Sequence, residues 1–429
     1  MKSSSSSLSP EWRLLTACAR LHQSEEDSRT IALEFRNLNA DRFVDLACQH
    51  DLAPLAYHSI HKVVSASTNT AALHSLKSLY FANAIRNAIL FQELEVILRA
   101  LKRTGTEVIL LKGAALADMV YQNRALRPMS DLDLLFRKKD VCQVGEVLSQ
   151  LGYALDARLL KGREWDHPDN YHLAYLKPAP ASPTVCCETH WHLEPSSRFQ
   201  IDIDGVWARA VPASFAGLNV HVLCPEDLLL YHCVHTCKHR LTGGFRAFCD
   251  IAEIVRCYGA EMDWKQFLSR ASEWRVGTFV YIPLRLASDF LGAPVPAEVF
   301  RSLTSQELEP QLLDAAKTEV LEDRSSSLLF PDLLALYRGA TLKERLAVVR
   351  KIFSSASIKT RYSLPDETNT QRFYARRFKD LIGDHGQELW RFFANRRTAM
   401  IRAESKLRLA KWLAPFAQSI NHSSVQDRL

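Results

Sequence analysis

Residues 107–137, EVILLKGAALADMVYQNRALRPMSDLDLLFR, decide how the rest of the chain is read. Val108 to Leu111 is an apolar run of strand length, broken at Lys112-Gly113. Ala114 to Tyr121 continues with helix-like spacing, and a polar loop then carries Arg124 and Arg127. The stretch closes on Ser130-Asp131-Leu132-Asp133-Leu134-Leu135-Phe136. Residues i and i+2 of a strand face the same way, so Asp131 and Asp133 are expected side by side at the head of an apolar strand. Two adjacent carboxylates repel each other unless a cation lies between them, so the pair points to a metal site.

Working outward, a periodic segment from Ala71 to Arg103 precedes this stretch, with Leu76, Tyr80, Ala84, Ile89, Leu94, Ile97 and Leu101 in phase and no internal Gly or Pro. It predicts one long helix, stopped by Thr104-Gly105, that leads directly into the strand. Shorter helices are expected over Glu11–His22, Ser28–Leu38 and Asp41–Cys48, with a bend at Pro54 and a polar linker at 65–70. Beyond the acidic strand a helix runs from Asp140 to about Leu151. Tyr171–Leu176 and Val185–Leu193 then read as neighbouring antiparallel strands joined by a long Pro-rich connection. On the second, Glu188, His190 and His192 are placed on one face. Val220–Leu223 is a further short strand. From Pro225, whose following Glu226 and Asp227 mark a helix start, the chain reads as all helix: Leu228–His239, Phe245–Tyr258, Trp264–Trp274 and Thr278–Leu291. Alternation of helix and strand around an acidic strand predicts an α+β protein with a mixed-sheet core flanked by helical N- and C-terminal regions. The expected segments are 1–70 helical, 71–224 α/β core, 225–370 helical, and 371–429 a basic helical tail.

Composition narrows the function classes. The chain has 429 residues, a formal net charge of +6 and 47% hydrophobic residues, values of a globular protein large enough for two or three domains. Residues 371–412 hold eleven Lys/Arg against four Asp/Glu, with Trp390, Phe392 and Phe393 among them, so weak contact of this tail with a polyanion is one expectation. No apolar run approaches the ~18–20 residues of a membrane span. The Ser-rich start has no apolar signal core, so a cytoplasmic location is expected. Ten cysteines spread along the chain, with Cys18, Cys48, Cys142 and Cys249 on apolar faces, read as reduced core thiols. No Gly-x-Ser-x-Gly elbow or Walker loop is present, which leaves hydrolase and P-loop readings without support.

A strand, a Gly-containing turn, a helix and an Asp-x-Asp strand in this order resemble the polymerase-β-like nucleotidyltransferase superfamily. More narrowly, Leu111-Lys112-Gly113-Ala114-Ala115-Leu116-Ala117, Tyr121, Arg127, Asp131, Asp133, Leu134 and Leu135 are similar to the hallmark of its large bacterial branch of uncharacterised nucleotidyltransferases. The likeness extends to Glu188–Trp191 and to a helix carrying His235, His239 and then Asp250. It implies a Mg-dependent transfer of an NMP group from an NTP to an unidentified acceptor (small molecule, protein or RNA). It implies two Mg2+ ions, or Mn2+, held by Asp131 and Asp133, with Glu188 as third carboxylate. Lys112, Gly113, Arg127 and Arg124 are the expected nucleotide contacts. His190, His235 and His239 are candidates for lining the cleft. Where the superfamily usually has Gly-Ser, this chain has Gly113-Ala114. That departure keeps a second reading open: a non-catalytic nucleotide- or partner-binding module on the same fold.

Two other patterns need placing. Asp202-Ile203-Asp204 repeats the Asp-x-Asp pattern, but Gly205 follows and no strand–turn–helix precedes, so it reads as loop. His232-Cys233-x-His235-x-Cys237-x-His239 puts ligand types at i,i+4 on one helix; core packing, cleft lining and metal binding all remain open for it.

Overall fold

The fold is described from a computed structural model of the chain. The structure describes residues 8–64, 70–160, 164–167, 169–179, 182–197, 199–239, 241, 243–304 and 310–321, with isolated positions among 354–413. Two compact units divide it: Met1–Leu308 with Pro415–Leu429, and Glu309–Ala414. The basic stretch 371–412 lies largely outside the described residues. In the second unit, α14 spans Pro310–Leu321.

In the first unit, α1 (Pro10–Cys18), α2 (Glu25–Asn37) and α3 (Ala40–Gln49) each begin at a polar cap. Ser9, Ser24 and Asn39 accept a hydrogen bond from first-turn amides, and Asp27 completes a capping box with Ser24. The expected bend at Pro54 is instead the first turn of another helix, α4 (Ala53–Val63), where a proline loses no helical hydrogen bond. α5 (Thr70–Thr104) is the long helix the periodicity predicts. It stops at Gly105, whose φ of +70° is the left-handed geometry that glycine adopts without a steric penalty.

The chain then enters a seven-stranded mixed sheet, ordered β3-β4-β5-β2-β1-β7-β6. β1 is only Ile109–Leu110, shorter than the apolar run suggests, and β2 is Asp131–Leu135. Between them lie α6 (Lys112–Ala115) and a wider π-type turn over Leu116–Val120 that prolongs it. α7 (Val141–Gln150) leads to β3 (Ala154–Leu155), β4 (His172–Ala179) and β5 (Ser182–His190). The expected long connection is a correction: β4 and β5 continue through Pro178 and Pro183 and pair as far as Ala179↔Ser182, past a register shift. Of the Asp202-Ile203-Asp204 stretch expected as loop, Ile203 and Asp204 are helical and Asp202 lies just outside. Its side chain caps α8 (Ile203–Arg209) by accepting from the Gly205 amide at 2.9 Å.

β6 (Val211–Phe215) and β7 (Leu218–Val222) form a hairpin whose two-residue turn, Ala216-Gly217, has positive φ at both positions. This geometry matches strand twist in tight hairpins. α9 (Pro225–Lys238), α10 (Arg246–Tyr258), α11 (Trp264–Glu273), α12 (Gly277–Leu291) and α13 (Ala297–Leu303) follow.

Strand alternation splits the sheet into two chemically different faces. Leu132, Leu134, Cys187, Leu173 and Tyr175 point into an apolar core with Leu94, Ile97, Leu98 and Leu101 of α5 and Val144 and Leu148 of α7. Each such buried aliphatic contributes roughly 1.5–3 kcal/mol, which fixes strand register because a one-residue slip would expose the whole set. The same alternation sends Asp131, Asp133, Glu188, His190 and His172 to the other face. The N-terminal helices close on α10 and α12 through Trp12 against His50 and Phe245, and through Arg20 donating to the Leu291 carbonyl. All ten cysteines are free thiols, but Cys48 and Cys142 are exposed rather than in the core. Among the described residues, no helix is long and apolar enough to cross a membrane.

Candidate active site

β2 and β5 are parallel neighbours in a register that sets Asp133 beside Glu188 and Asp131 beside Cys186. The carboxylates of Asp131, Asp133 and Glu188 consequently converge, with a ligand oxygen from each within 4.8 Å of the others. Three carboxylates this close need compensation, and Lys112 and His190 approach them. Lys112 Nζ lies 2.6 Å from Asp133 Oδ1 and 4.0 Å from Glu188 Oε2. His190, fully buried, places Nε2 3.0 Å from Asp133 Oδ1 and 3.1 Å from Glu188 Oε2.

The titration behaviour follows from this geometry. Burial would raise the Asp133 carboxyl, but Lys112 and His190 outweigh it and hold the group below the usual range. Burial likewise opposes ionised Glu188, and His172, His190 and Lys112 reverse the sign and keep it well below its ordinary value. Desolvation would lower the Lys112 ammonium, yet Asp133, Tyr231, Glu188 and Asp131 hold it charged well above its ordinary value. Asp131 has less compensation. Burial, then Asp133 and Glu188, push it up to about 7.

The Lys112-Gly113 turn is built differently from a glycine-led turn. The positive φ, +39°, falls on Lys112, a strain of about 1–3 kcal/mol for a residue with a Cβ. The 2.6 Å ion pair with Asp133 holds that conformation in place. Gly113 is needed for clearance: a Cβ there would lie 3.1 Å from the Arg127 guanidinium and 3.2 Å from the Met129 side chain. No side chain caps the start of α6, so its first-turn amides have no capping side chain on them.

The two arginines expected near phosphate each have a carboxylate partner. Arg127 makes a fork to Asp250 of α10, Nε to Oδ1 at 3.0 Å and Nη2 to Oδ2 at 2.8 Å, with both residues buried. Tyr121 donates to the same Oδ1 at 2.9 Å, and Arg246 reaches Oδ2 at 3.3 Å. Burial would raise the Asp250 carboxyl, but Arg127 and Arg246 hold it below its ordinary value. Arg124 pairs with Asp118 at 2.5 Å and lies over the rings of Phe91 and Phe215, at 4.1 and 5.1 Å. The hallmark residues thus divide by position. Lys112, Asp131 and Asp133 meet at the carboxylate site, while Tyr121 and Arg127 fasten the intervening loop to α10.

His192 does not share the face with Glu188 and His190: it lies past the end of β5 and contacts the Ile201 carbonyl through Nε2. Within the string 232–239, Cys233 and Cys237 are buried and Cys237 Sγ contacts the Phe279 carbonyl at 3.1 Å. Among the described residues, the groups arranged to hold a metal include none of these positions. His235 and His239 are adjacent, 4.4 Å between ring centroids, and His235 Nδ1 is 3.5 Å from the buried Glu194. Sequence reading missed Glu194, Lys238, Tyr171, Tyr231 and His172. Lys238 pairs with Glu194 at 3.1 Å and with the Tyr171 hydroxyl, and the Tyr231 ring lies 6.0 Å from Lys112 Nζ. Only His172 carried a signal, since an antiparallel partner strand brings a polar residue opposite His190.

A mixed sheet with a Gly turn and an Asp-x-Asp strand that gathers a third carboxylate from its parallel neighbour is the arrangement of a nucleotidyltransferase. The chain belongs to the family described as "Uncharacterised nucleotidyltransferase", whose profile matches residues 36–292. Among solved structures it is similar to ANT(2")-Ia in complex with adenylyl-2"-tobramycin, at 15% identity over 43% of this chain and 96% of that chain, TM-score 0.31. It is also similar to an antigenic nucleotidyltransferase-like protein from Paracoccidioides brasiliensis, at 16% identity over 49% of this chain and 96% of that one, TM-score 0.29. Likeness at that level says nothing of substrate or chemistry. No curated protein matches the chain.

Proposed function

We propose that this member of the family transfers an NMP group from a Mg-bound NTP to an acceptor hydroxyl or similar nucleophile. The convergence of Asp131, Asp133 and Glu188 within 4.8 Å carries this reading. The donor set fits the metal: three carboxylates are hard oxygen ligands suited to Mg2+ or Mn2+. The repulsion among the three carboxylates, which pushes Asp131 up to about 7, is relieved by a divalent cation between them. Bound there, the metal would neutralise charge on the phosphates and on the attacking oxygen.

The protein's own groups have separate tasks. Lys112 and His190 fix the orientation of Asp133 and keep it ionised. Glu188 is held ionised beside His172 and His190, ready to accept a cation on the acceptor side. The uncapped start of α6 offers amides to the donor's phosphates, with Ala114 contributing no hydroxyl. Arg127 acts through position: its pair with Asp250 sets the loop that presents Asp131. The core 71–224 would carry the transfer site, with α9 of the following helical segment contributing Tyr231 and Lys238 at its edge.

The test is pyrophosphate release from each NTP with Mg2+ and a cell lysate as acceptor source. Asp131→Asn and Asp133→Asn should each lose about 100-fold or more, equivalent to about 2.7 kcal/mol of transition-state stabilisation. Equal turnover by either variant removes the proposal. The replacement of Ser by Ala114 favours one rival, a nucleotide-binding module without catalysis. Calorimetric Mg-NTP binding with no pyrophosphate from any donor selects that rival.

A further inference from the structure

A second group of ligand-type side chains borders the carboxylate site. His172 of β4 and His190 of β5 are direct cross-strand partners, and Glu188 stands two residues before His190 on the same face. One donor atom from each lies within 4.8 Å of the other two. The Glu188 carboxylate divides between them: Oε2 is 3.1 Å from His190 Nε2, and Oε1 is 3.8 Å from His172 Nε2. The two imidazoles stack, with 4.9 Å between centroids and 25° between planes, so both present their Nε2 edges to Glu188. The Nδ1 atoms of both are enclosed and have no hydrogen-bond partner among the described residues, so Nε2 is where each ring makes its polar contacts. Packing also fixes the rings, with Tyr171 against both, at 4.4 Å from His172 and 5.7 Å from His190.

We infer that His172, Glu188 and His190 form a second metal site, selective for a first-row transition metal of the Zn2+ type, with Glu188 common to both sites and His190 Nε2 exchanging its contact with Asp133 Oδ1 for the metal. Imidazole nitrogen prefers Zn2+ and its neighbours, whereas the all-carboxylate group prefers Mg2+. Zn2+ takes nitrogen and oxygen ligands at about 2.0–2.2 Å in tetrahedral geometry, which sets neighbouring ligand atoms about 3.3–3.5 Å apart. The observed 3.1 and 3.8 Å, which run to the two different oxygens of Glu188, bracket that spacing, and with one donor atom from each residue within 4.8 Å of the others, modest side-chain rotations close the site. Three protein ligands leave a fourth position for water or a substrate oxygen.

The inference does not depend on nucleotidyl transfer, and its test involves no nucleotide. Metal-stripped full-length protein is loaded with Co2+, a spectroscopic substitute for Zn2+, then desalted into about a hundredfold excess of Mg2+, which binds imidazole poorly. Wild type should keep a stoichiometric amount of Co2+ with a visible ligand-field band. His172→Phe, which preserves the ring packing, should weaken Co2+ binding more than the roughly 10–100-fold typical of losing an outer partner. Asp131→Asn removes a ligand of the carboxylate group alone and should keep the band. Metal-free melting curves establish that each variant is folded, and His172→Gln serves if the phenylalanine variant is not. Displacement of Co2+ by Mg2+, or retention by a folded His172 variant equal to wild type, overturns the site. So does equal loss in Asp131→Asn.

Discussion

Substituting Asp250→Asn tests the loop anchor most directly. Asp250 is 2% and Arg127 5% exposed, and the carboxylate accepts from Arg127 twice, from Tyr121 and from Arg246. The amide keeps the shape but removes the charge, leaving Arg127 buried without a counter-ion. Arg246 retains Asp51 at 3.4 Å, so the uncompensated charge is chiefly that of Arg127. Breaking a buried pair from one side costs about 3–5 kcal/mol, whereas replacing both partners with apolar groups is often neutral. The Arg127→Met/Asp250→Leu double variant should therefore recover much of the loss. Urea unfolding followed by near-ultraviolet circular dichroism measures both. Because Arg127 lies against Gly113 and its carbonyl accepts from Asn87, Asp250→Asn should also weaken Mg-NTP binding. A loss below about 1 kcal/mol, the scale of an exposed ion pair, would refute the assignment of Arg127 and Asp250 as the anchor.

Other consequences are open to measurement. His232 is buried, and desolvation lowers its imidazole to about 4, so the unfolded chain binds the extra proton first. The contribution of His232 to stability should be complete above pH 6.5 and be lost, by about 3 kcal/mol, between pH 6.5 and 4, so His232→Phe should make the urea-midpoint profile shallower there than that of wild type. Gly113→Ala should cost about 1–3 kcal/mol through contact with Arg127 and Met129; unchanged melting would mean that those side chains withdraw freely. Lys112→Met strips the 2.6 Å cation from buried Asp133, so the metal-free variant should melt lower and gain more from added Mg2+ than wild type does. Equal Mg2+-induced shifts would contradict this.

The elements that sequence made legible are those whose signal is local. α5 declares itself by unbroken periodicity, and Asp131 and Asp133 by alternation on an apolar strand. Glu188 required a strand pairing, and the family resemblance supplied the candidate that the Asp133↔Glu188 register now places. The pairing of Arg127 with Asp250 was not legible because the two are more than a hundred residues apart. The positive φ at Lys112 was hidden for a similar reason: a glycine stands next to it, and only the long-range ion pair explains why the lysine takes the strain. β6 was missed because Val211–Phe215 includes Pro212 and only its last residue is buried, as suits an edge strand.

The two-residue β1 has a consequence for how this protein is made. Among the described residues, β1, with the flanking Val108 and Leu111, links the β6–β7 hairpin to the other four strands. The parallel partners of Ile109 and Leu110, His221 and Val222, emerge more than a hundred residues later during synthesis. Until Val222 is available, β1 has one open edge, and an exposed edge of this kind invites pairing with other chains. A chain truncated before β7 should therefore aggregate rather than accumulate as a smaller folded core, because long-range parallel pairing closes slowly and late.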